Sequence, residues 1–186
     1  MKQELEENLT KKYPDLFKNR NKSPKETLIC FGCECGDGWY KILDNLCGYI
    51  ENLQKTRRSM LKLKEEFKTE KNKGYVEFHC PPVVFDQIKE KYGTLRVYWH
   101  FDTPNYEELS SKLVDPTELQ TKTNNYSDTI ENAVEFSEYL SSITCEITGK
   151  KGKLYSDGWC VTLCKEEAIK RFGFDPDDTE DIKGVE

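Results

Sequence analysis

Cysteines near the C-terminus follow half of a zinc-binding pattern. The stretch contains Cys145-Glu-Ile-Thr148-Gly149, Gly152-Lys-Leu154, Gly158-Trp159 and Cys164-Lys-Glu-Glu167. In a zinc ribbon, two pairs of cysteines with two residues between the members of each pair hold the metal tetrahedrally. Here Thr148 and Glu167 occupy the positions of the second ligand in each pair. The pattern indicates a ribbon-like element that has lost half of its ligands.

Zinc remains one of two interpretations of this element. Cys145, Cys160 and Cys164 would supply three thiolates with an acid as the fourth ligand, although Cys160 does not lie at the ribbon position. The other interpretation, which we favour, is a turn held by packing of Leu154, Trp159 and Leu163. We expect no cofactor, with zinc at the three cysteines as the alternative.

A second group of cysteines lies in the N-terminal half. Cys30 and Cys33 have the knuckle spacing, and His79 or Cys80 would have to complete a site. Neighbouring residues in an extended segment point to opposite sides, so at most one of that pair joins easily. Cys47 lies on the apolar side of a helix pattern, where a free cysteine behaves as a small hydrophobe. Buried or idle thiols are the expected outcome.

Catalytic chemistry is poorly supported by the sequence. The chain has two histidines, and neither lies beside a Cys or Ser in a familiar nucleophile signature. A Cys33 or Cys35 nucleophile with His79 or His100 remains an alternative. The glycine run Gly32…Gly36-Asp-Gly38 lacks the Lys-Ser/Thr of a P-loop and the spacing of a dinucleotide fold. We therefore expect a protein that is not an enzyme.

Positive charges and rings cluster in a predicted β-hairpin. Phosphate is bound by charge-assisted hydrogen bonds and bases stack on aromatic faces, so the cluster is a candidate site for a nucleotide-like anion. The alternative is a solvated outer face of a sheet, with Arg96 paired to an acid. The candidate ligand-binding residues are Lys89, Lys91, Arg96, Tyr98 and His100, together with Trp39 after the glycine run.

Elements with clear periodicity position these residues. Apolar residues at three- and four-residue steps predict helices over about 39–53 and 127–142, with Asp37 as the first N-cap and Asp128 with Glu131 as a capping box. Strands Val83–Lys89 and Thr94–Phe101 flank a four-residue connection, and the second strand alternates, which predicts a hairpin. Leu95, Val97, Trp99 and Phe101 should face the core. A short helix is expected over Lys165–Phe172.

The fold class expected from these elements is α+β, with a small antiparallel sheet packed by two or three helices. We predict an N-terminal helical extension over 1–26, a core domain over 27–142, the ribbon-like element over 143–174 and a disordered acidic tail over 175–186. A chain of 186 residues can bury one sizeable core.

Charge is unevenly spread over a chain with a net charge of -6. Residues 55–73 carry eight Lys/Arg against three acids, and residues 175–186 carry six acids against one Lys. These segments either solvate themselves or contact a partner. No signal peptide or apolar run of membrane-spanning length is found, so we expect a cytoplasmic protein with reduced cysteines and no membrane contact.

Three motifs together resemble a family of small, uncharacterised tailed-phage proteins. They are Cys35-Gly-Asp-Gly-Trp39, the stretch Gln87-Ile-Lys89-Glu-Lys91-Tyr-Gly93-Thr-Leu95-Arg96-Val-Tyr98, and the ribbon. The family pattern is similar, with CGDGW, QVKEKFGTLRFY and an intact ribbon; Thr148 and Glu167 depart from it. The resemblance covers roughly residues 25–170 and implies a phage accessory protein in the cytoplasm of a bacterial host.

The resemblance favours a role against host defence. The leading hypothesis is that the chain sequesters a nucleotide-like signal without cleaving it. The alternatives are a ribbon-derived adaptor for a host protein or a nucleic acid, and a Cys- or metal-dependent enzyme that cleaves nucleotides. A homo-oligomer is also expected, because small proteins often form ligand pockets between subunits.

Overall fold

The computed structural model describes residues 1–63, 80–102, 116–156 and 159–173, with only the backbone for 116–124. It confirms the predicted α+β class. The described elements are α1 (Gln3–Lys12), a 3₁₀ turn (Ile29–Phe31), β1 (Cys33–Glu34), a second 3₁₀ turn (Asp37–Trp39), α2 (Tyr40–Leu63), β2 (Val83–Lys91), β3 (Thr94–Phe101), α3 (Pro116–Ser142), β4 (Lys153–Tyr155), β5 (Val161–Leu163) and α4 (Lys165–Phe172).

The hairpin of β2 and β3 is confirmed, with a tighter turn than predicted. β2 continues to Lys91, so two residues connect the strands instead of four. Tyr92 and Gly93 have φ values of 55° and 77°, the left-handed conformations that suit the twist of a two-residue hairpin. β1 adds a short parallel strand beside β2, which gives the sheet order β1-β2-β3.

The alternation of β3 is also confirmed. Leu95 and Val97 are buried, while Trp99 and Phe101 are partly buried against the same core. Side chains of α3 bond to the outer edge of this strand: Ser141 Oγ accepts the Leu95 N–H at 2.8 Å, and a Glu138 carboxylate oxygen accepts the Val97 N–H at 3.2 Å. The helix therefore covers an edge that would otherwise be open to pairing.

The predicted apolar face of α2 is buried, but the predicted cap is wrong. Ile42, Leu43, Leu46 and Ile50 line the main core. Asp37 begins the preceding 3₁₀ turn, and its carboxylate accepts the backbone N–H of Lys2 at 2.7 Å. Asp37 therefore binds the start of the N-terminal segment and does not cap α2.

The capping box predicted at Asp128 and Glu131 is wrong, because the helix begins earlier than predicted. The helix α3 begins at Pro116, so both residues lie within it. Glu131 instead accepts the Trp99 indole N–H at 3.0 Å. The buried face predicted for this helix is confirmed, with Ile130, Val134 and Ser137 buried.

The N-terminal segment packs into the main core. α1 ends at Lys12, beside the predicted break at Tyr13-Pro14. Leu9, Tyr13, Leu16 and Phe17 are buried in the same cluster as α2 and the hairpin. Residues expected to form an extension thus contribute apolar area to the core.

The C-terminal element has a small core of its own. β4 and β5 pair antiparallel, and α4 has the predicted bounds. Its buried residues are Cys145, Tyr155, Val161, Leu163, Cys164 and Ala168. The acidic tail and residues 64–73 of the basic stretch lie outside the described residues. No described helix combines the length and apolarity that a membrane crossing requires.

Candidate ligand site

The glycine run packs directly against the ribbon knuckle. The Gly38 N–H donates to the Glu146 carbonyl at 2.7 Å, and the Gly36 N–H donates to the Glu146 carboxylate at 2.9 Å. A Cβ on Gly38 would lie 2.2 Å from the Cys145 carbonyl oxygen, closer than any real contact. These glycines allow two backbones to meet, and their role is structural.

Trp39 belongs to this junction and offers no face to a ligand. Its side chain is 0% exposed, and its indole N–H donates to the Thr144 carbonyl at 2.8 Å. Of the candidate ligand-binding residues, it is the one that the fold places in the core.

Two of the three candidate zinc ligands meet in the knuckle. Thr148 Oγ lies 3.6 Å from Cys164 Sγ, and both Cys145 and Cys164 are buried. Cys160 is placed elsewhere, beside the hairpin turn. In the part of the chain that the structure describes, no three His, Cys, Asp or Glu side chains are grouped to hold a metal.

Hydrogen bonds in the knuckle act on the Cys145 sulfur. Burial by itself would raise the pKa of this thiol, but the Thr148 hydroxyl and the backbone N–H groups of Cys164, Thr148 and Ile147 outweigh it, and the pKa is lowered. Such donors normally satisfy a metal-bound thiolate. In this turn, N–H groups thus hydrogen-bond to a sulfur, while Thr148 and Glu167 hold the positions of two further ribbon cysteines.

The N-terminal cysteines are poor nucleophiles in this fold. Cys33, Cys35 and Cys47 are buried. Burial raises the pKa of the Cys35 thiol to about 12, and it raises those of Cys33 and Cys47 as well. Since the thiolate is the reactive form, these side chains have little reactivity at neutral pH.

The hairpin brings part of the predicted cluster together. Lys89 pairs with Arg96 and Gln87 with Tyr98 in the strand register, so their side chains lie on the outer face of the sheet. The Lys89 ammonium lies 5.3 Å from the centre of the Tyr98 ring. Lys91 lies at the turn, 5.3 Å from the centre of the Tyr92 ring.

Arg96 and His100 are engaged with acids. Arg96 Nη1 lies 3.3 Å from Glu138 Oε2, the pairing that the alternative interpretation anticipated. Burial raises the pKa of Glu138 despite the Val97 N–H and the Arg96 charge. His100 Nδ1 lies 2.8 Å from Asp86 Oδ1. These two side chains have less freedom to meet a ligand than Lys89 and Lys91.

A cavity of about 490 Å³ lies at the turn of the hairpin. Two lysines and two rings meet there, because the ribbon brings Trp159 beside the end of β2. Trp159 and Tyr92 are each 70% exposed, so the prediction that Trp159 holds the turn by packing is wrong. The lining residues are Lys89, Glu90, Lys91, Tyr92, Trp159 and Cys160.

Sequence reasoning missed Tyr92, Trp159 and Cys160 as parts of this cavity. The Tyr-Gly pair marked the turn, but nothing local linked it to the ribbon. The contact includes a hydrogen bond from a side chain to the backbone: the Thr162 hydroxyl donates to the Gly93 carbonyl at 2.6 Å. In comparisons with known proteins, no family model, curated sequence or solved structure matches this chain.

Proposed function

We propose that the protein binds a nucleotide-like anion in the cavity at the hairpin turn and does not cleave it. The observation that carries the proposal is the meeting of two lysines and two exposed rings at one cavity of about 490 Å³. Sites for small ligands combine such a concave surface with a few charged groups that fix orientation.

The lysines would bind the phosphate groups. Among the described residues, no acid forms an ion pair with Lys89 or Lys91, and each ammonium lies near a tyrosine ring. Glu90 also lines the cavity, but its carboxylate accepts the Gly93 N–H at 2.6 Å. The net charge of the three side chains is positive, which favours an anion.

The rings would bind the base. Tyr92 of the hairpin turn and Trp159 of the ribbon-like element both line the cavity. Stacking on an aromatic side chain contributes about 1–3 kcal/mol per base. A ligand with both a base and phosphates would therefore contact the rings as well as the lysines.

The biological setting follows from the resemblance to phage proteins. In that setting, a bacterial host signals infection with small nucleotides, and a phage protein that sequesters them blunts the response. The lining of the cavity fits sequestration better than cleavage, since its described residues include neither a histidine nor a group of metal ligands.

Titration of the purified protein with cyclic oligonucleotides and NAD-derived signals tests the proposal. Tryptophan fluorescence should respond, because Trp159 is exposed at the cavity. We expect at least one ligand to bind with a Kd below about 10 μM, roughly 7 kcal/mol. Weaker binding of every ligand would rule out the proposed function, and turnover that Cys160→Ser or a chelator abolishes would show an enzyme.

Variants locate the binding site. The double variant Lys89→Ala/Lys91→Ala should weaken binding by about 10- to 100-fold or more, since a hydrogen bond to a charged group contributes about 1.5–3 kcal/mol. Trp159→Ala should weaken it by a similar factor through lost stacking. Lys55→Ala/Lys62→Ala on α2 is the matched control and should bind normally. Equal losses in both lysine pairs would place the ligand elsewhere.

A further inference from the structure

A second cavity, an apolar groove, lies between α2 and α3 on a surface that the proposed ligand does not use. Its volume is about 610 Å³, and it is open along the helices. Most of its lining is apolar or aromatic, with amide and hydroxyl groups among it. The lining residues are Ile42, Asn45, Leu46, Tyr49, Thr129, Asn132, Ala133, Phe136, Ser137 and Leu140.

Exposed rings concentrate along this groove. Phe136 is 60% exposed and Tyr49 is 48% exposed, although both line it. Tyr139 is 59% exposed, and its ring lies 6.3 Å from that of Phe136. Contiguous exposed apolar surface of this kind marks an interaction site more often than a solvated face.

The charges beside the groove differ in sign between its two sides. On α2, Lys41 precedes the lining residue Ile42 and Asp44 precedes Asn45, but the Asp44 carboxylate is paired with the Lys12 ammonium at 2.7 Å. On α3, Asp128 and Glu135 precede Thr129 and Phe136. Lys41, Asp128 and Glu135 are exposed, and no described residue forms an ion pair with them. From residue 125 to its end, α3 carries four acids and no base.

We propose that the groove is a homodimer interface, occupied by α2 and α3 of a second copy of this chain. A two-fold axis would place α2 of one copy on α3 of the other, so that opposite charges meet twice. The exposed Phe136 of each copy would enter the groove of its partner. Homodimer interfaces combine an apolar centre with a polar rim in the same way.

The amide groups on the surface of the groove also suit a second copy. Asn45 of α2 and Asn132 of α3 both line the groove, and both are exposed. An amide carries both a donor and acceptors, so identical amides can bond across a symmetry axis. A partner of one charge sign would match only one side of the groove, whereas a second copy matches both.

Sedimentation equilibrium of the full chain tests the proposal, with a concentration series from about 1 to 100 μM chosen to bracket an interface of μM affinity. We expect a monomer–dimer equilibrium that Phe136→Asp shifts to monomer by at least tenfold in Kd. Phe31→Asp is the matched control, because Phe31 is 58% exposed and lies outside the groove. Circular dichroism melting shows whether each variant is folded.

A second variant tests the charge pairing. Lys41→Glu should also weaken the dimer, whereas Lys11→Glu on α1 should not, and high salt should weaken the wild-type dimer. A wild-type chain that stays monomeric over the whole series would overturn the proposal. So would a dimer that Phe136→Asp and Phe31→Asp affect equally, or an assembly larger than two.

Discussion

At the scale of single residues, Glu146 joins the glycine run to the ribbon-like element. Its carbonyl and carboxylate accept the N–H groups of Gly38 and Gly36, and its own N–H donates to the Thr162 carbonyl at 2.9 Å. Burial raises its pKa above the usual 4.5; the Gly36 N–H acts in the opposite direction, and the nearby charge of Glu90 adds a smaller increase. The carboxylate is retained as an acceptor although its charge is poorly solvated.

Glu146→Gln should leave the protein at least as stable as wild type at pH 7. Because the folded state raises this pKa, the folded form binds the proton more tightly than the unfolded form. Stability from this group is therefore present below pH 4.5 and is lost as the pH rises through the folded pKa. Glutamine keeps an acceptor for Gly36 without this loss. The melting temperatures of the variant and the wild type at pH 4 and pH 7 test this prediction. A variant that is destabilised equally at both pH values would contradict it.

Gly38→Ala should destabilise the protein strongly. The added Cβ would lie 2.2 Å from the Cys145 carbonyl oxygen and 2.5 Å from the Gly149 nitrogen, and neither backbone atom can move aside alone. We expect a loss of at least about 2 kcal/mol in the free energy of unfolding, as for other overpacked sites. Gly173→Ala is the control, because nothing lies within 4 Å there and only the strain of φ 80° is added. Urea unfolding measures both, and equal losses would contradict the account.

At the scale of elements, the ribbon-like element packs around Cys145 and Cys164, with Thr148 and Glu167 beside them in the sequence pattern. Thr148 Oγ contacts Cys164 Sγ, and Glu167 pairs with Lys170 at 2.6 Å. The element is closed by the pairing of β4 with β5 and by its own buried cluster. The sequence predicted the location of this element, because the cysteine spacing is local.

Thr148→Cys/Glu167→Cys should create a zinc site. The two substitutions restore both cysteine pairs, and four thiolates hold zinc tetrahedrally. We expect about one zinc per chain by elemental analysis and a higher melting temperature with zinc than with a chelator. Thr148→Ser/Glu167→Gln is the matched control without new thiols and should gain neither. A double-cysteine variant that stays metal-free when purified with zinc would show that the knuckle geometry is lost.

At the scale of the whole molecule, the main core depends on the N-terminal segment. Leu9 of α1 is 0% exposed, and the Phe17 ring packs edge-on against Phe85 of β2 at 5.3 Å. Tyr13 Oη donates to the Asp44 carboxylate of α2 at 2.8 Å. The segment therefore contacts both the sheet and a helix of the core.

Leu9→Ala should lower the free energy of unfolding by about 2–5 kcal/mol, the usual cost of a cavity in a packed core. Leu63→Ala is the control, because Leu63 is 76% exposed and its truncation should be nearly neutral. Chemical denaturation with a single probe in each core measures both. A neutral Leu9→Ala variant would mean that α1 is an appendage.

The sequence by itself determined the elements whose signals are local. The alternation of Leu95 to Phe101 predicted a strand, the apolar steps after Trp39 predicted a buried helix face, and the cysteine spacing located the ribbon. These signals depend on which neighbours share a face of one element, and that is set by backbone geometry. The fold class followed from their order.

Only the tertiary structure decided what these elements meet. It placed Trp39 in the core, paired Arg96 with Glu138, and brought Trp159 to the hairpin turn beside Lys89 and Lys91. Contacts between residues far apart in the chain depend on the packing of whole elements, which no local pattern specifies. The candidate cavity depends on such a contact, because it forms where the ribbon-like element packs on the hairpin.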